Sequence, residues 1–417
     1  MKSIFDIALD VLLDICKNKK EFSLSIKDNK VFGKNVDKKS VISICGLVLR
    51  NYFLIKYFTN NVLNFKKDEE ILSTGVVFAA VGFNKVKDTK SVFDWYKNYL
   101  SNLGNEYDKN IESELNSLIK NKKNYQFDKI NKGSLQYFSI VDNLPIWFLN
   151  MINKQFNRDI MYKVAKECSR MPKQYAFKPE FFEVKDELKD ELNSFKEIKK
   201  DLLMYVPEKS IKSLGLSHQN YIFNVQLAEV KMLEKLPSLE NKEITVMLSS
   251  KDNGYVPLLN KYYKNNKLHV FYKDEKRYLP SLNKLNTEGM NNLDFHQANE
   301  DSLEAYLSSK QDLIVYYPES SNLELFRRLP DYGITFNPSC IDGLIEKQAN
   351  GLTSLDDQLA SGGYLVYALP TINIKEMSVQ IYKFLEKHSN YKEVYSEVFF
   401  PNEKDNSTYY YCILKKD

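Results

Sequence analysis

The sequence predicts two architectures in one chain: an all-helical first part, then an α/β part built on a mostly parallel sheet. Three observations carry that prediction. Between residues 1 and 135 the apolar side chains recur at spacings of three and four, the period of a buried helix face. From about Gln226 onward, short β-rich runs alternate with helical runs, which is the pattern of a parallel sheet covered on both faces. A length of 417 residues allows two or three domains with ample core.

In the first part, helices are expected over 4–16, 41–58, 71–83, 92–103 and 108–123. The first has Asp6, Asp10 and Asp14 on one stripe and Ile7, Val11 and Ile15 on another. That is an amphipathic helix, not the basic-then-apolar order of a signal peptide. In the last of them Ile111, Leu115, Leu118 and Ile119 share one face. A connector follows, with a helix near 145–170, and Pro172 and Pro179 mark a boundary. The span 181–200 is expected as a strongly charged helix. Strands are expected over 244–249, 268–272, 313–317, 364–369, 393–399 and 408–414. Helices fill the gaps at 276–285, 341–359 and 374–388. With no helical run between them, the last two strands should pair as an antiparallel hairpin around 401–407.

Composition narrows the function classes. Hydrophobic residues at 43% and charged residues at 27% exclude a disordered chain, a collagen-like repeat and a disulfide scaffold. The longest apolar stretch, 75–83, is far short of the ~20 residues a membrane helix needs. Cys16, Cys45, Cys168, Cys340 and Cys412 form no CxxC pair and read as reduced, mostly buried thiols of a cytoplasmic protein. His218, His269, His296 and His388 stand far apart, so no metal site is expected. Charge is uneven: residues 1–178 hold 30 basic and 19 acidic side chains, and residues 179–417 hold 29 and 36. A basic half beside an acidic half points the first half toward a polyanion. RNA, DNA and an acidic protein surface all fit, and so does a merely solvated Lys-rich surface.

The most informative segment is Leu-Ala-Ser-Gly-Gly-Tyr-Leu-Val-Tyr at 359–367. Here an apolar helix is expected to end at Gly362-Gly363 and turn tightly into a strand. The segment resembles the "LKPGG-x-LVY" stretch of the bacterial ribosomal RNA cytosine-5 methyltransferases of the Sun/RsmB type. The match continues through Thr371, Ile372, Asn373 and Glu376. Upstream, Arg327-Arg328-Leu329-Pro330-Asp331 resembles that family's "RR-x-PD" signature, and Gln348 its helix glutamine. Asp37-Lys38 and Val48-Leu49-Arg50 stand at the spacing of its NusB-like helical domain. Covering nearly the whole chain, the resemblance implies three parts. They are a NusB-like bundle at 1–140, a connector at 141–225 and a Rossmann-like methyltransferase domain, dependent on S-adenosylmethionine, at 226–417.

The departures from that family fall where its chemistry is done. Cytosine C5 is a poor nucleophile, and the family's enzymes add a Cys thiolate to C6 to activate it. That Cys belongs in a "TC" pair after the Gly-Gly strand, and this chain has Leu369-Pro370 there. A second Cys belongs in a "D-A-P-C" turn, where this chain reads Tyr316-Tyr317-Pro318-Glu319. Glu319 as a base without the nucleophile cannot activate C6. In place of the family's "D-x-C-A-A-P-G-G-K" cofactor loop stands 248–256, which retains Gly254 alone and replaces the next Gly by Tyr255. The acidic residue that should hold the ribose hydroxyls is Tyr272, with Asp274 two residues on as its substitute, and the adenine-contacting Asp is Asn299. Cys340 is expected as a small buried residue at a helix start rather than a displaced nucleophile.

The resemblance and its departures together imply an RNA-binding protein, related to the rRNA cytosine-5 methyltransferases, that has lost methyl transfer. Gly254, Asp274, Asn299 and Pro318 are expected as vestiges of the cofactor pocket, crowded by Tyr255, Tyr272, Tyr316 and Tyr317. Lys38, Arg50, Arg327 and Arg328 are the expected nucleic-acid contacts. Keeping an Arg pair is notable in a chain with six Arg, because Arg binds phosphate bidentately. An ion pair between one of these arginines and Asp331 or another carboxylate accounts equally well for their presence. No cofactor is expected unless the ancestral activity persists, in which case it is S-adenosylmethionine. The expected partner is ribosomal RNA or the small ribosomal subunit, bound by a cytoplasmic monomer. Two other readings stay open: an active methyltransferase with relocated groups, and a module that docks a ribosomal or transcription protein through the helical bundle.

Overall fold

The structure is a computed structural model that describes residues 2–29, 37–122, 125–127, 130–170, 173–179, 183–199, 201–205, 211–248, 254–275, 290–402 and 407–417. The chain divides into two compact units: Met1–Ser169 with Leu325–Asn337, and Arg170–Glu324 with Pro338–Asp417. By sequence the first holds 29 basic and 20 acidic residues, a net +9, and the second 30 and 35, a net −5.

The first unit is helical: α1 (Ile4–Asn18), α2 (Phe22–Asp28), α3 (Lys38–Leu49), α4 (Tyr52–Asn61), α5 (Asp68–Gly82), α6 (Thr89–Asn102), α7 (Lys109–Asn121), α8 (Leu135–Val141), α9 (Ile146–Gln155) and α10 (Arg158–Cys168). Short polar side chains start several of them by accepting from orphan N–H groups of the first turn. Asp37, Asp88, Asp108 and Asn157 act this way, and Ser3 with Asp6 forms a reciprocal capping box on α1. At the centre lies α5, whose Val76, Val77, Phe78, Ala79 and Ala80 are fully buried against α1, α3, α4 and α6. Val76, Val77 and Phe78 each contribute roughly 1.5–3 kcal/mol. Gly75 lets the helices approach, since a Cβ there would sit 2.8 Å from Val48 Cγ1. Among the described residues no single helix is long and apolar enough to cross a membrane.

The expected boundaries at 140 and 225 do not match these units. Helices α8 to α10 pack with the first unit, and so do two short helices from far along the chain, Leu325–Arg328 and Tyr332–Thr335. Aromatic packing holds the inserted piece, with Phe326 stacked on Phe148 at 4.1 Å and Phe336 against Trp147 at 5.6 Å. Asp331 accepts a 2.9 Å hydrogen bond from the Phe22 N–H. A local apolar pattern does not say which core a segment will join.

In the second unit a small antiparallel sheet comes first: β1 (Gln174–Phe177), β2 (Phe195–Lys199), β3 (Leu202–Tyr205) and β4 (Phe223–Val225), in the order β2-β3-β1-β4. The helix expected over 181–200 is therefore corrected. Its described residues form a 3-10 turn, Asp186–Leu188, a single helical turn, Lys189–Asn193, and then β2. Phe195 packs against the cluster of Ala176, Leu188 and Leu203, and pairing with β3 outweighs the helix propensity of the charged run.

A seven-stranded sheet follows: β5 (Glu243–Leu248), β6 (Lys267–Tyr272), β7 (Leu293–Gln297), β8 (Gln311–Tyr317), β9 (Leu359–Leu369), β10 (Tyr391–Phe399) and β11 (Tyr409–Lys416), ordered β10-β11-β9-β8-β5-β6-β7. The strands from β5 to β9 pair in parallel, and β11 runs antiparallel to β9 and β10, as the terminal hairpin requires. Strand β7 was not legible in advance, and the helix expected at 276–285 lies outside the described residues. Helices Ile341–Asp356 and Ser378–Lys387 agree with expectation, a 3-10 turn at Ile374–Glu376 opening the second. The role of the Gly pair is corrected. The helix stops at Asp356 and β9 is already under way at Leu359. While β8 advances from Gln311 to Leu313, β9 advances from Leu359 to Tyr364, so the glycines make a bulge. Gly362 has φ +78°, a conformation other residues resist.

Candidate functional site

Open α/β sheets bind ligands beyond the carboxyl ends of their strands, which here are the ends of β5 to β9. At the end of β9, Pro370 is buried, and it has neither a nucleophilic atom nor an N–H. The residues just after it are tied into a polar network centred on Glu376, which is fully buried. Its carboxylate accepts from the Ser321 N–H at 2.8 Å, Ser321 Oγ at 2.5 Å, Asn373 Nδ2 at 3.1 Å and Gln348 Nε2 at 3.2 Å. Tyr367 donates to Gln348 Oε1 and the Glu376 carbonyl shares that hydroxyl. Gln348 Nε2 also reaches the Glu319 carbonyl at 2.9 Å, so the loops after β8 and β9 are clamped together. The Glu319 carboxylate pairs with Lys347 at 3.1 Å.

Tyr272, Tyr316 and Tyr317 stand at the ends of β6 and β8, and Tyr255 opens the helix Tyr255–Tyr262. Tyr255, Tyr272, Tyr316 and Tyr317 are all buried. Tyr255 meets Tyr317 edge-on at 4.9 Å, and Tyr316 donates to Glu300 Oε1 at 3.3 Å. Burial raises the pKa of Tyr255, Tyr316 and Tyr317 well above that of a free phenol, so these rings stay neutral.

The described positions assigned to S-adenosylmethionine do not assemble into a matching donor set, and residues 249–253 of the expected cofactor loop lie outside the described residues. Tyr272 ends β6 without a carboxylate, while Asp274 and Asn299 are exposed. Glu300, a carboxylate the sequence reading passed over, pairs with Lys273 at 3.5 Å. Gly254 has ordinary helical geometry, and the need for glycine is steric: a Cβ there would fall 1.9 Å from the Asn224 carbonyl oxygen of β4. Pro318 is buried between Tyr317 and Glu319.

No thiol is tuned for attack. Burial raises the pKa of Cys16 and of Cys168 to about 12 and lifts that of Cys45 and Cys412 further still. Cys340 is exposed rather than buried, a correction, and does precede helix Ile341–Asp356. Partial burial and the field of Glu376 raise its pKa, the direction opposite to a nucleophilic cysteine.

The four nucleic-acid candidates separate. Arg327 is buried, with its guanidinium 3.5 Å from the equally buried Glu167, and is thus a structural ion pair. Half-buried Arg328 belongs to the same helical turn. Lys38 is exposed at the start of α3. Arg50 caps the end of α3 and lines a cleft of about 480 Å³ with Lys122, Lys132, Tyr125, Phe127 and Tyr137. Its rings form an edge-to-face series, Tyr125 to Phe127 at 5.6 Å and Phe127 to Tyr137 at 6.0 Å. The aromatic side of this cleft was missed, because Tyr125 and Phe127 come from a loop without periodicity and Tyr137 from the two-turn helix α8.

The expectation of scattered histidines is also corrected. Parallel pairing of β6 with β7 brings His269 and His296 together, with Nδ1 and Nε2 3.3 Å apart.

Residues 265–413 match the family described as 16S rRNA methyltransferase RsmB/F. Among solved structures, the PH0851 protein superposes with a TM-score of 0.72 at 13% identity, over 100% of this chain and 99% of that chain. A methyltransferase homologue from Pyrococcus horikoshii gives 0.55 at 15% identity, over 69% of this chain and 100% of its own. NSun6 from the same organism, solved with SFG, gives 0.55 at 14%, over 65% and 98%. At these identities the likenesses establish a shared fold. No curated protein matches the sequence. The matched segment, 265–413, thus resembles the methyltransferase domain of the RsmB/F family, and it lies in the unit that carries the seven-stranded sheet with its antiparallel final hairpin.

Proposed function

We propose that this protein is an RNA-binding relative of the rRNA cytosine-5 methyltransferases that no longer transfers a methyl group. The observation that carries the reading is the end of β9. Where the family needs a thiolate, a buried imino acid is followed by residues locked onto Glu376. Covalent activation of the pyrimidine requires a nucleophile there, and none of the five thiols is depressed in pKa. The poor fit of the strand-end residues to S-adenosylmethionine supports the same conclusion.

RNA binding rests on the first unit, which has a net charge of +9 and serves as a NusB-like docking domain. The Arg50 cleft combines a planar cation, two lysines and partly exposed rings, the combination that holds phosphate and stacks an unpaired base. The target is structured RNA of the small ribosomal subunit, bound by a cytoplasmic monomer. Binding of a ribosomal RNA fragment across a salt series tests this, and affinity should fall steeply as salt rises. Affinity independent of salt would count against it. Calorimetry with S-adenosylmethionine separates the enzyme reading, which requires saturable binding.

A further inference from the structure

We propose that His269, Asp294 and His296, backed by Glu243, form a binding site for one divalent transition-metal ion of the zinc class at the β6–β7 side of the sheet. In the β6–β7 register His269 faces Asp294, and His296 follows two residues on, on the same face of β7. Their ligand atoms all lie within 4.8 Å of one another. Two nitrogens bound tetrahedrally to zinc at ~2.05 Å stand about 3.3–3.4 Å apart. His269 Nδ1 and His296 Nε2 are 3.3 Å apart, so the backbone already holds the two imidazoles at that spacing. The rings are near parallel, at 24°.

The surroundings are those of a supported ligand. His269 is buried, and its Nε2 lies 3.1 Å from Glu243 Oε2 on β5. Such a carboxylate accepts a hydrogen bond from Nε2–H, which leaves Nδ1 as a lone pair directed toward His296, the usual outer-shell arrangement of a metal-bound imidazole. Phe271 stacks on His296 at 4.8 Å and limits its rotation. Asp294 Oδ2 is 3.9 Å from His269 Nδ1 and half exposed, and coordination needs it to close by a short shift. Water completes the shell. In the metal-free form one proton bridges the two imidazole nitrogens, and the metal replaces that bridge. Lys267 Nζ, 3.2 Å from Asp294 Oδ2, is the charge that opposes the ion and must swing away. With the ion bound, β7 is fastened to β6 through side chains as well as backbone.

Titration of the reduced, chelator-treated full chain with Zn²⁺ should give one site of micromolar or tighter affinity. Co²⁺ at that site should absorb in the visible with no thiolate charge-transfer band. His296→Ala and His296→Gln should each weaken Zn²⁺ binding at least tenfold, and Glu243→Gln about tenfold. Lys267→Met should tighten it. Metal-free circular dichroism verifies that each variant keeps the fold. Absence of saturable Zn²⁺ binding, unchanged affinity in both His296 variants, or a thiolate band in the Co²⁺ spectrum would overturn the proposal.

Discussion

Replacing Glu376 should destabilise the second unit more than almost any other single polar change. The side chain is fully buried and its two oxygens accept from Ser321 N–H, Ser321 Oγ, Gln348 Nε2 and Asn373 Nδ2. Hydrogen bonds to a charged group are worth about 1.5–3 kcal/mol each, and they do not add because they share one acceptor. Glu376→Gln keeps the shape but turns one oxygen into a donor. On the Oε1 side it would face two donors, the Ser321 N–H and Gln348 Nε2, so the amide must sit on the other side and lose a bond there. The expected cost is about 1.5–3 kcal/mol. Glu376→Ala strands the Ser321 N–H, which cannot move, and both amides, for about 3–5 kcal/mol. Urea unfolding of the full chain measures both variants. A double-mutant cycle with Ser321→Ala should show coupling above ~0.5 kcal/mol. If Glu376→Gln unfolds within ~0.5 kcal/mol of the parent, the network does not clamp the strand ends and the reasoning fails.

Three other outcomes follow from the geometry. Arg50→Ala should weaken RNA binding and reduce the slope of log affinity against log salt by about one unit or slightly less, read from filter binding across a salt series; an unchanged slope would remove Arg50 from the interface. Asp142, at the end of α8, has its pKa raised from 3.8 to about 6 by burial. A raised carboxyl pKa stabilises the fold below 3.8 and costs stability as pH climbs through about 6. Two units would be nearly 3 kcal/mol, which partial exposure reduces to about 1–2, so Asp142→Asn should be that much more stable at pH 7.5 and equal near pH 3.5. Thermal melts at the two pH values decide it, and a variant less stable at pH 7.5 contradicts the assignment. Gly254→Ala should destabilise by more than ~2 kcal/mol, since its Cβ would sit 1.9 Å from a backbone oxygen that cannot rotate away; a neutral substitution would show that Asn224 is not fixed there.

The strands were legible because they are apolar runs buried on both faces, as in Val246-Met247-Leu248 and Leu313–Tyr317. The terminal hairpin was legible because no helical period separates β10 from β11. Strand β7 was not, since Leu-Asp-Phe-His-Gln carries an acid and a histidine at an edge where neither is forced inward. The charged span at 183–199 misled because charge suits a helix surface, whereas its pairing with β3 depends on residues elsewhere in the chain. At the site, Pro370 and the four buried tyrosines could be read from order along the chain. Arg327 could not, because its partner Glu167 lies 160 residues away. Nor could the His269–His296 contact, which exists only because two strands pair in parallel.

The account stands on the loss of methyl transfer, and the direct test is incorporation of labelled methyl from S-adenosylmethionine into ribosomal RNA by the purified chain, with Pro370→Cys alongside. The expected result is no incorporation by either protein, because restoring the sulfur leaves Tyr272, without a carboxylate, at the end of β6. Label transferred to a cytosine by the unaltered chain would contradict the account outright.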